Sequence, residues 1–230
     1  RIERLEMKKL SFYYVSPEYV NHLRNFESSI RGISHVPFVD YESHNRKGKF
    51  FCGVVLEING FQYYVPVSSK TNNHQNAFFL YDKNKRIASL RFDFMFPVPD
   101  KLITEIKITN EPDNHYRALL QKELQICRIY TSVIRDKALE TYTKRTLGDN
   151  SRGSEKSCDF RLLEDACSIY CVEHNLSSEP LEPAVEMLRN TRPRTLDEII
   201  ASATTRASEI NSQRIATPSL NRTNETLEHE

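Results

Sequence analysis

The chain has 230 residues, of which 39% are hydrophobic and 27% are charged, a composition typical of one or two folded domains. It has no apolar run long enough to cross a bilayer and no secretory signal, so we expect a cytoplasmic protein. The five cysteines follow no regular disulfide framework and are expected to be reduced.

Charge is distributed unevenly along the chain. The net charge is +1, but the segment from Glu173 to Glu230 has six Arg and ten Asp or Glu, a net charge of −4. The preceding residues have 26 basic and 21 acidic side chains, a net charge of +5. A mildly basic body permits RNA binding without requiring it.

Both ends of the chain are expected to lie outside the folded domain, which we place at residues 7–175. Residues 1–6 precede the first methionine and are interpreted as upstream sequence. Residues 176–230 contain no aromatic side chain and no lysine, which predicts an acidic and mostly flexible tail. Within this tail, a capping box and a one-sided apolar pattern predict a short helix at about 196–210.

The residue patterns predict an α+β fold with an antiparallel sheet, because most strands precede most helices. Ser16 followed by Pro17 is typical of a helix start, and Asn59-Gly60 between two apolar runs is typical of a two-residue hairpin turn. The predicted strands cover residues 10–15, 50–58, 61–67, 77–81 and 87–98, and the predicted helices begin at Pro17, run from His115 to about Arg145, and cover 160–174.

The open end of the predicted hairpin brings polar side chains together. The two-residue turn sets a register in which Lys49 lies opposite Lys70. Two lysines that face each other repel unless an anion lies between them, and a phosphodiester is such an anion. The hydroxyls of Ser68 and Ser69 are donors suited to its oxygens.

Strand alternation leaves open which serine faces the lysine. In a regular strand Ser68 shares the face of Lys49, whereas a bulge near Pro66 would bring Ser69 to that face. On spacing alone, the ordinary interpretation of these residues is a pair of solvated strand ends.

An ordered set of short segments extends over roughly residues 7–170. It comprises Phe12-Tyr13, the runs from Lys49 to Ile58 and from Tyr63 to Lys70, Tyr116-Arg117, the run from Lys122 to Gln125, and the run from Asp159 to Glu164. In this order the segments resemble the ToxN/AbiQ family, the endoribonuclease toxins of type III toxin–antitoxin systems.

This resemblance implies a compact, twisted and partly barrel-like antiparallel sheet surrounded by helices. The tail extends beyond the resemblance, and its composition predicts a C-terminal helical or flexible extension. It implies a sequence-selective endoribonuclease that uses no metal ion or other cofactor and leaves a 2′,3′-cyclic phosphate and a 5′-hydroxyl. It also implies inhibition by a small repeat RNA antitoxin that folds into pseudoknots and forms closed rings with the toxin. A role in phage defence by abortive infection follows from the same resemblance.

The site residues that the resemblance implies fall on specific positions of this chain. The family's lysine matches Lys49, and its Thr/Ser-Ser pair matches Ser68-Ser69, with Ser69 at the position of the essential serine. We expect Lys49 to stabilise transition-state charge and Ser69 to bind a phosphate oxygen or the leaving group. Tyr19 and Tyr41 match tyrosines expected to stack on RNA bases, and core packing is the alternative for Tyr19.

Further residues are expected to bind RNA around this site. Lys47 and Lys70 would hold flanking phosphates. Lys122, Gln125 and Arg128 of a predicted helix would line the same groove, although a solvated helix face is the ordinary interpretation of such residues.

Three other functions are compatible with the sequence. A histidine-based ribonuclease would use His115, at a helix start. A zinc module would use Cys158, Cys167, Cys171 and His174, although the last three share a helical face where core packing is more usual. A non-catalytic RNA-binding or scaffold protein would have the same basic residues and would not cut RNA.

Overall fold

The structure, a computed structural model, describes residues 9–39, 48–70, 72–74, 76–146 and 156–176. In these ranges, seven strands form one antiparallel sheet, with four α-helices, which confirms the predicted α+β fold. The strands are β1 (Ser11–Val15), β2 (Phe51–Ile58), β3 (Phe61–Ser68), β4 (Ala77–Asp82), β5 (Lys85–Arg91), β6 (Phe96–Pro97) and β7 (Ile103–Glu105), and the helices are α1 (Pro17–Arg31), α2 (Asn114–Ile129), α3 (Thr131–Thr146) and α4 (Phe160–Glu173).

The sheet places β3 at its centre. The hydrogen-bonded order is β4-β5-β3-β2-β1-β7, and β6 also pairs with β3. β4 and β7 are the edges of this path, so the sheet of the described residues is open and does not close into a barrel. Within the same ranges, we find no helix whose length and apolar character would let it cross a membrane.

Local side-chain bonds set the helix starts, and the predicted cap at Ser16 is confirmed. The Ser16 side chain accepts a hydrogen bond from the Tyr19 N–H at 3.4 Å, and Pro17 occupies the first turn of α1. Asp113 caps α2, and Asp159 caps α4, each by accepting from N–H groups of the first turn. These bonds satisfy backbone donors that have no partner inside a helix.

The single helix predicted from residue 115 to about residue 145 is instead two helices, α2 and α3. The Thr131 hydroxyl donates to two carbonyls of the preceding turn, at 3.2 and 2.9 Å, and such bonds bend helices. Tyr130, at the junction, packs against Phe78 with ring centroids 5.6 Å apart. α2 contacts β4 and α3 contacts β2, so the break lets one run of sequence cover two parts of the sheet.

The strand predicted at residues 87–98 is also interrupted. β5 ends at Arg91, and a 3₁₀ turn separates it from β6. The turn contains Asp93, whose carboxylate accepts hydrogen bonds from Asn76 at 2.9 Å and from Arg145 at 3.0 Å. These long-range bonds end the strand at this point, and the apolar pattern of the sequence does not predict them.

The buried carboxyl of Glu123 makes the stability of the fold dependent on pH. Glu123 lies on α2 with 4% of its surface exposed, and burial raises its pKa to about 7. A carboxyl whose pKa is higher in the folded state stabilises the fold at low pH, and this contribution is lost as the pH rises from the unfolded pKa towards about 7. Replacing Glu123 should therefore matter only at neutral and alkaline pH.

We expect Glu123→Gln to raise the free energy of unfolding by roughly 2 kcal/mol at about pH 8 and to change it little at about pH 4.5. Urea unfolding at the two pH values measures this difference. Glu140→Gln, which removes an exposed carboxylate of α3, is the matched control and should have a small effect at both. A Glu123→Gln effect of equal size at both pH values would contradict the prediction.

Candidate active site

The hairpin of β2 and β3 begins at its turn as predicted. Asn59 and Gly60 both have positive φ angles, 52° and 79°, as a type I′ turn requires. Next to the turn, Ile58 pairs with Phe61. The predicted register is therefore confirmed in this half of the hairpin.

The register changes farther from the turn. Leu56 still pairs with Tyr63, but Cys52 pairs with Val65, so β2 has two more residues than β3 between these pairs. A bulge near Pro66 was the alternative that the sequence left open, but Pro66 pairs with Phe51 and the irregularity lies in β2. Two extra residues leave the alternation of side chains unchanged at the strand ends.

This shift changes the cross-strand neighbour of Lys49. The Val67 N–H donates to the Phe50 carbonyl at 3.1 Å, and continuing this register by one residue places Lys49 opposite Ser68. The predicted pairing of Lys49 with Lys70 is wrong, because it carried the register of the turn through the irregular segment. Lys49 nevertheless lies beside the serines, as predicted.

Gly53 accounts for the position of the irregularity. A Cβ atom at this residue would lie 2.2 Å from a ring atom of Tyr64, a distance that no side chain tolerates. Tyr64 is 1% exposed, and its ring packs edge-on against Tyr13 with centroids 5.4 Å apart. Gly53 also pairs with Ser11 of β1, so the backbone is held between a neighbouring strand and an aromatic ring.

Hydrogen bonds hold the end of β3 against β5. Ser68 pairs with Ser89, and the buried Ser89 hydroxyl donates to the Lys70 carbonyl at 2.7 Å. The Lys70 N–H donates to Ser68 Oγ at 3.2 Å, and the Ser68 O–H remains available as a donor. Ser69 is exposed, so a ligand can reach its hydroxyl as well.

Lys49 lies in a cationic environment. Its side chain is half-buried, and burial, together with the charges of Lys70 and Arg91, lowers the pKa of its ammonium group below the ordinary value. In the part of the chain that the structure describes, no carboxylate bonds to Lys49. Cations held this close together are unfavourable unless an anion binds among them, and a phosphate is an anion of suitable size.

Arg91 and His74 belong to this cluster and were not predicted from the sequence. β5 brings Arg91 beside β3, and burial and Arg91 lower the pKa of His74, while Asp93, at 3.6 Å from its Nδ1, opposes this shift. An arginine at the end of one strand is an ordinary sequence feature. Only the pairing of β5 with β3 shows that it lies near Lys49.

Tyr19 is a core residue, which corrects the expectation that it stacks on RNA. Its side chain has no exposed surface, and its hydroxyl donates to the Pro97 carbonyl at 2.7 Å. Its ring packs edge-on against Tyr170, with centroids 5.0 Å apart. An RNA base has no access to a ring in this position, and the alternative of core packing is confirmed.

The three α2 residues predicted to bind RNA contact other parts of the chain. Lys122 forms an ion pair of 2.7 Å with Asp82, at the end of β4 next to the β4–β5 turn. The Arg128 Nε–H donates to the Leu10 carbonyl at 2.9 Å. Gln125 and Arg128 line a cavity of about 450 Å³ whose lining does not include the hairpin residues. Their role in RNA binding stays a prediction.

Some predictions fall outside the described residues. Tyr41 and Lys47 lie there, and their expected roles in RNA binding stay predictions. The same holds for the upstream residues 1–6, for the tail with its predicted helix at about 196–210, and therefore for the domain boundaries at 7–175.

The two other catalytic hypotheses have less support in the described residues. Among them, no group of three or more His, Cys, Asp or Glu side chains is placed to hold a metal ion. Cys158 and Cys167 are buried in the core, and His174 stacks on Tyr170 with ring centroids 3.9 Å apart. His115 is exposed at the start of α2, beside the Asp113 cap.

One end of this open antiparallel sheet places hydroxyls and clustered cations side by side, an arrangement suited to binding a phosphate anion. The chain matches the family model described as toxin ToxN of type III toxin–antitoxin systems over residues 11–168. It is 31% identical over 170 residues to the endoribonuclease ToxN of Bacillus thuringiensis subsp. kurstaki, covering 69% of this chain and 83% of that one. It is 27% identical over 175 residues to the endoribonuclease AbiQ of Lactococcus lactis subsp. lactis, covering 70% and 89%.

Solved structures agree with these relatives. The AbiQ structure, described as a lactococcal anti-phage endoribonuclease of a type III system, has a TM-score of 0.62 and 26% identity, covering 72% of this chain and 99% of that one. A type III toxin described with selective inhibition by a non-coding RNA pseudoknot has a TM-score of 0.61 and 29% identity, covering 71% and 98%. The chain therefore belongs to the ToxN family of type III toxin–antitoxin toxins, and its enzyme class is that of the endoribonucleases.

Proposed function

We propose that this chain cuts RNA without a metal ion, by promoting attack of a substrate 2′-hydroxyl on the adjacent phosphorus. The bond from O2′ to phosphorus forms as the bond to O5′ breaks, which leaves a 2′,3′-cyclic phosphate and a 5′-hydroxyl. The proposal rests on the surroundings of Lys49, which is a half-buried cation beside two serine hydroxyls and two further cations.

Each group of the site has a role in this chemistry. The transition state is a pentavalent phosphorane with additional negative charge, which needs donors that are already in place. Lys49 stabilises this charge, and the hydroxyls of Ser68 and Ser69 donate to a phosphate oxygen or to the leaving O5′. Lys70 is exposed next to them and binds a flanking phosphate. Tyr41 and Lys47 are proposed to extend the RNA contact beyond this centre.

The experiment that tests the reaction uses purified protein and total bacterial RNA in EDTA. We expect fragments that carry 5′-hydroxyl and 2′,3′-cyclic phosphate ends, identified by end-specific ligation. A matched RNA pool methylated at every 2′-oxygen should stay intact, because it lacks the attacking group. Cleavage of the methylated pool, or a requirement for a divalent cation, would contradict the mechanism.

We also propose that a small structured RNA is the inhibitor of this toxin in the cytoplasm, where the two act together in defence against phage. The support is family membership and the relatives whose descriptions name a pseudoknot RNA and anti-phage activity. The expected arrangement is a closed ring of toxin and pseudoknotted repeat RNA.

The DNA upstream of the gene tests the proposed inhibitor directly. We expect a tandem array of short repeats there, and one transcribed repeat should inhibit RNA cleavage by the purified protein. A shuffled RNA of the same length is the control. If both RNAs inhibit cleavage equally, or if neither inhibits it, the proposal of a specific RNA antitoxin is contradicted.

A further inference from the structure

Arg91 is a constrained cation that forms no ion pair with the residues the structure describes. Its guanidinium carbon lies 5.4 Å from the centroid of the Phe94 ring, so the ring restricts the position of the group. Its Nε atom is buried and has no hydrogen-bond partner within the described ranges. An arginine has five N–H donors, and leaving a buried one without a partner is costly.

The nearest acid is bound by other residues. The Asp93 carboxylate accepts hydrogen bonds from Asn76 at 2.9 Å and from Arg145 at 3.0 Å, and it lies 3.6 Å from His74. No ion pair joins it to Arg91 in the described part of the chain. Asp93 therefore anchors the chain around the site. Its charge raises the pKa of Arg91 against the lowering effect of burial, but it accepts no hydrogen bond from Arg91, and the Arg91 Nε–H remains available to a ligand.

The sheet directs Arg91 towards the face of the hairpin site. Ser68 pairs with Ser89 of β5, and Arg91 follows two residues later, so alternation puts all three on one face. Lys49 lies on the same face, opposite Ser68. With strands about 4.8 Å apart and a rise of about 3.3 Å per residue, the Cα atoms of Lys49 and Arg91 are separated by roughly 12 Å. Two long side chains can span this distance through two neighbouring phosphates.

We propose that Arg91 binds a second RNA phosphate that flanks the scissile phosphate held at Lys49 and Ser68, in addition to the one assigned to Lys70. The inference rests on the proposed function, because it takes the hairpin site as the place of cleavage. Arg91 is thus a substrate-binding residue that sets how the strand passes from β2 across β3 to β5. The Phe94 ring restricts the position of its guanidinium group before RNA arrives.

RNA binding by Arg91→Gln tests the inference. The probe is a pool of single-stranded RNA methylated at every 2′-oxygen, which the proposed reaction cannot cut. We expect about 10-fold weaker binding and a loss of roughly 0.7 in the slope of log affinity against log salt, the value for one phosphate contact on a single strand. Arg91→Lys keeps one charge and should preserve the slope while losing part of the affinity.

Arg86→Gln is the matched control. Arg86 lies on the same strand, is also partly buried, and stacks over a phenylalanine ring, with its guanidinium carbon 4.1 Å from the Phe79 centroid. It lies five residues from Arg91, near the other end of β5. We expect wild-type affinity and slope from this variant. Circular dichroism confirms that each variant is folded, and Arg91→Lys decides the test if Arg91→Gln does not fold.

Cleavage kinetics separate this inference from the proposed function. A contact to a flanking phosphate stabilises the bound substrate and the transition state equally. Arg91→Gln should therefore raise KM about 10-fold and change kcat little. If Arg91→Gln leaves the RNA affinity, the salt slope and KM unchanged, the role of Arg91 is overturned and the proposed function still stands. If Arg91→Lys has to be used instead, unchanged RNA affinity and KM have the same consequence. Wild-type cleavage by Lys49→Ala would instead overturn the proposed function and the flanking-phosphate assignment with it.

Discussion

Replacing Lys49 by alanine is expected to slow RNA cleavage by about 100- to 1,000-fold, the usual loss when one preorganised donor to transition-state charge is removed. The side chain is half-buried, and no carboxylate bonds to it in the described ranges, so its charge is directed to a ligand. Single-turnover cleavage of a defined RNA by wild-type and variant protein measures the loss. Growth arrest on expression should disappear in parallel.

Lys85→Ala is the control for this experiment, because Lys85 is an exposed lysine at the start of β5, away from the site. It should cut RNA at the wild-type rate. If Lys49→Ala also cuts within a few-fold of wild type, Lys49 is not part of the active site. A wild-type protein that binds RNA and never cuts it would favour the non-catalytic scaffold function instead.

The pH dependence of cleavage provides a second measure of Lys49. Burial, with Lys70 and Arg91, lowers its pKa, so the charged form is lost at a lower pH than for an ordinary lysine. As the pH is raised, kcat/KM should therefore begin to fall at a pH below the ordinary pKa of lysine. Lys70→Gln removes one like charge, raises the pKa of Lys49, and should move this fall to higher pH. A shift to lower pH would exclude Lys49 as the titrating group.

Replacing Gly53 by alanine is expected to lower the free energy of unfolding by about 3 kcal/mol, at the upper end of overpacking effects. The new Cβ would lie 2.2, 2.5 and 2.9 Å from three ring atoms of Tyr64, a buried residue. Urea unfolding measures the loss. Any folded Gly53→Ala protein should also cut RNA more slowly, because a shifted β2 moves Lys49 away from Ser68.

A double-mutant cycle with Tyr64→Leu tests the cause of this effect. Leucine has fewer atoms where the new Cβ would lie. The double variant should therefore lose less free energy of unfolding than the sum of the losses in the two single variants. Gly60→Ala is a further control, since a Cβ there meets nothing within 4 Å and only the positive φ is unfavourable. Strict additivity of Gly53→Ala and Tyr64→Leu would show that the ring is not the cause.

Much of the hairpin was predictable because its turn is a local structure. Asn59 and Gly60 are adjacent, and their positive φ angles determine the pairing of the residues that flank them. The helix cap at Ser16 was predictable for the same reason. In each case the interacting groups lie within a few residues of one another.

The register at the site was not predictable from the turn. It depends on Gly53 meeting the Tyr64 ring and on the pairing of β1 with β2, and these contacts join distant parts of the chain. Tyr19 is a similar case, because its helical position is compatible with either the core or a groove until Pro97 and Tyr170 are placed beside it. Arg91 enters the site only through the pairing of β5 with β3.

The sequence by itself determined that this chain has an α+β fold, that a tight hairpin brings Lys49 near two serines, and that its ordered motifs are those of the ToxN family. These properties follow from residue types and short spacings, which act before the chain has a tertiary structure. The tertiary structure alone decided that Lys49 lies opposite Ser68 and that Arg91 shares their face. Packing and strand pairing between distant residues set those relations, and no local pattern encodes them.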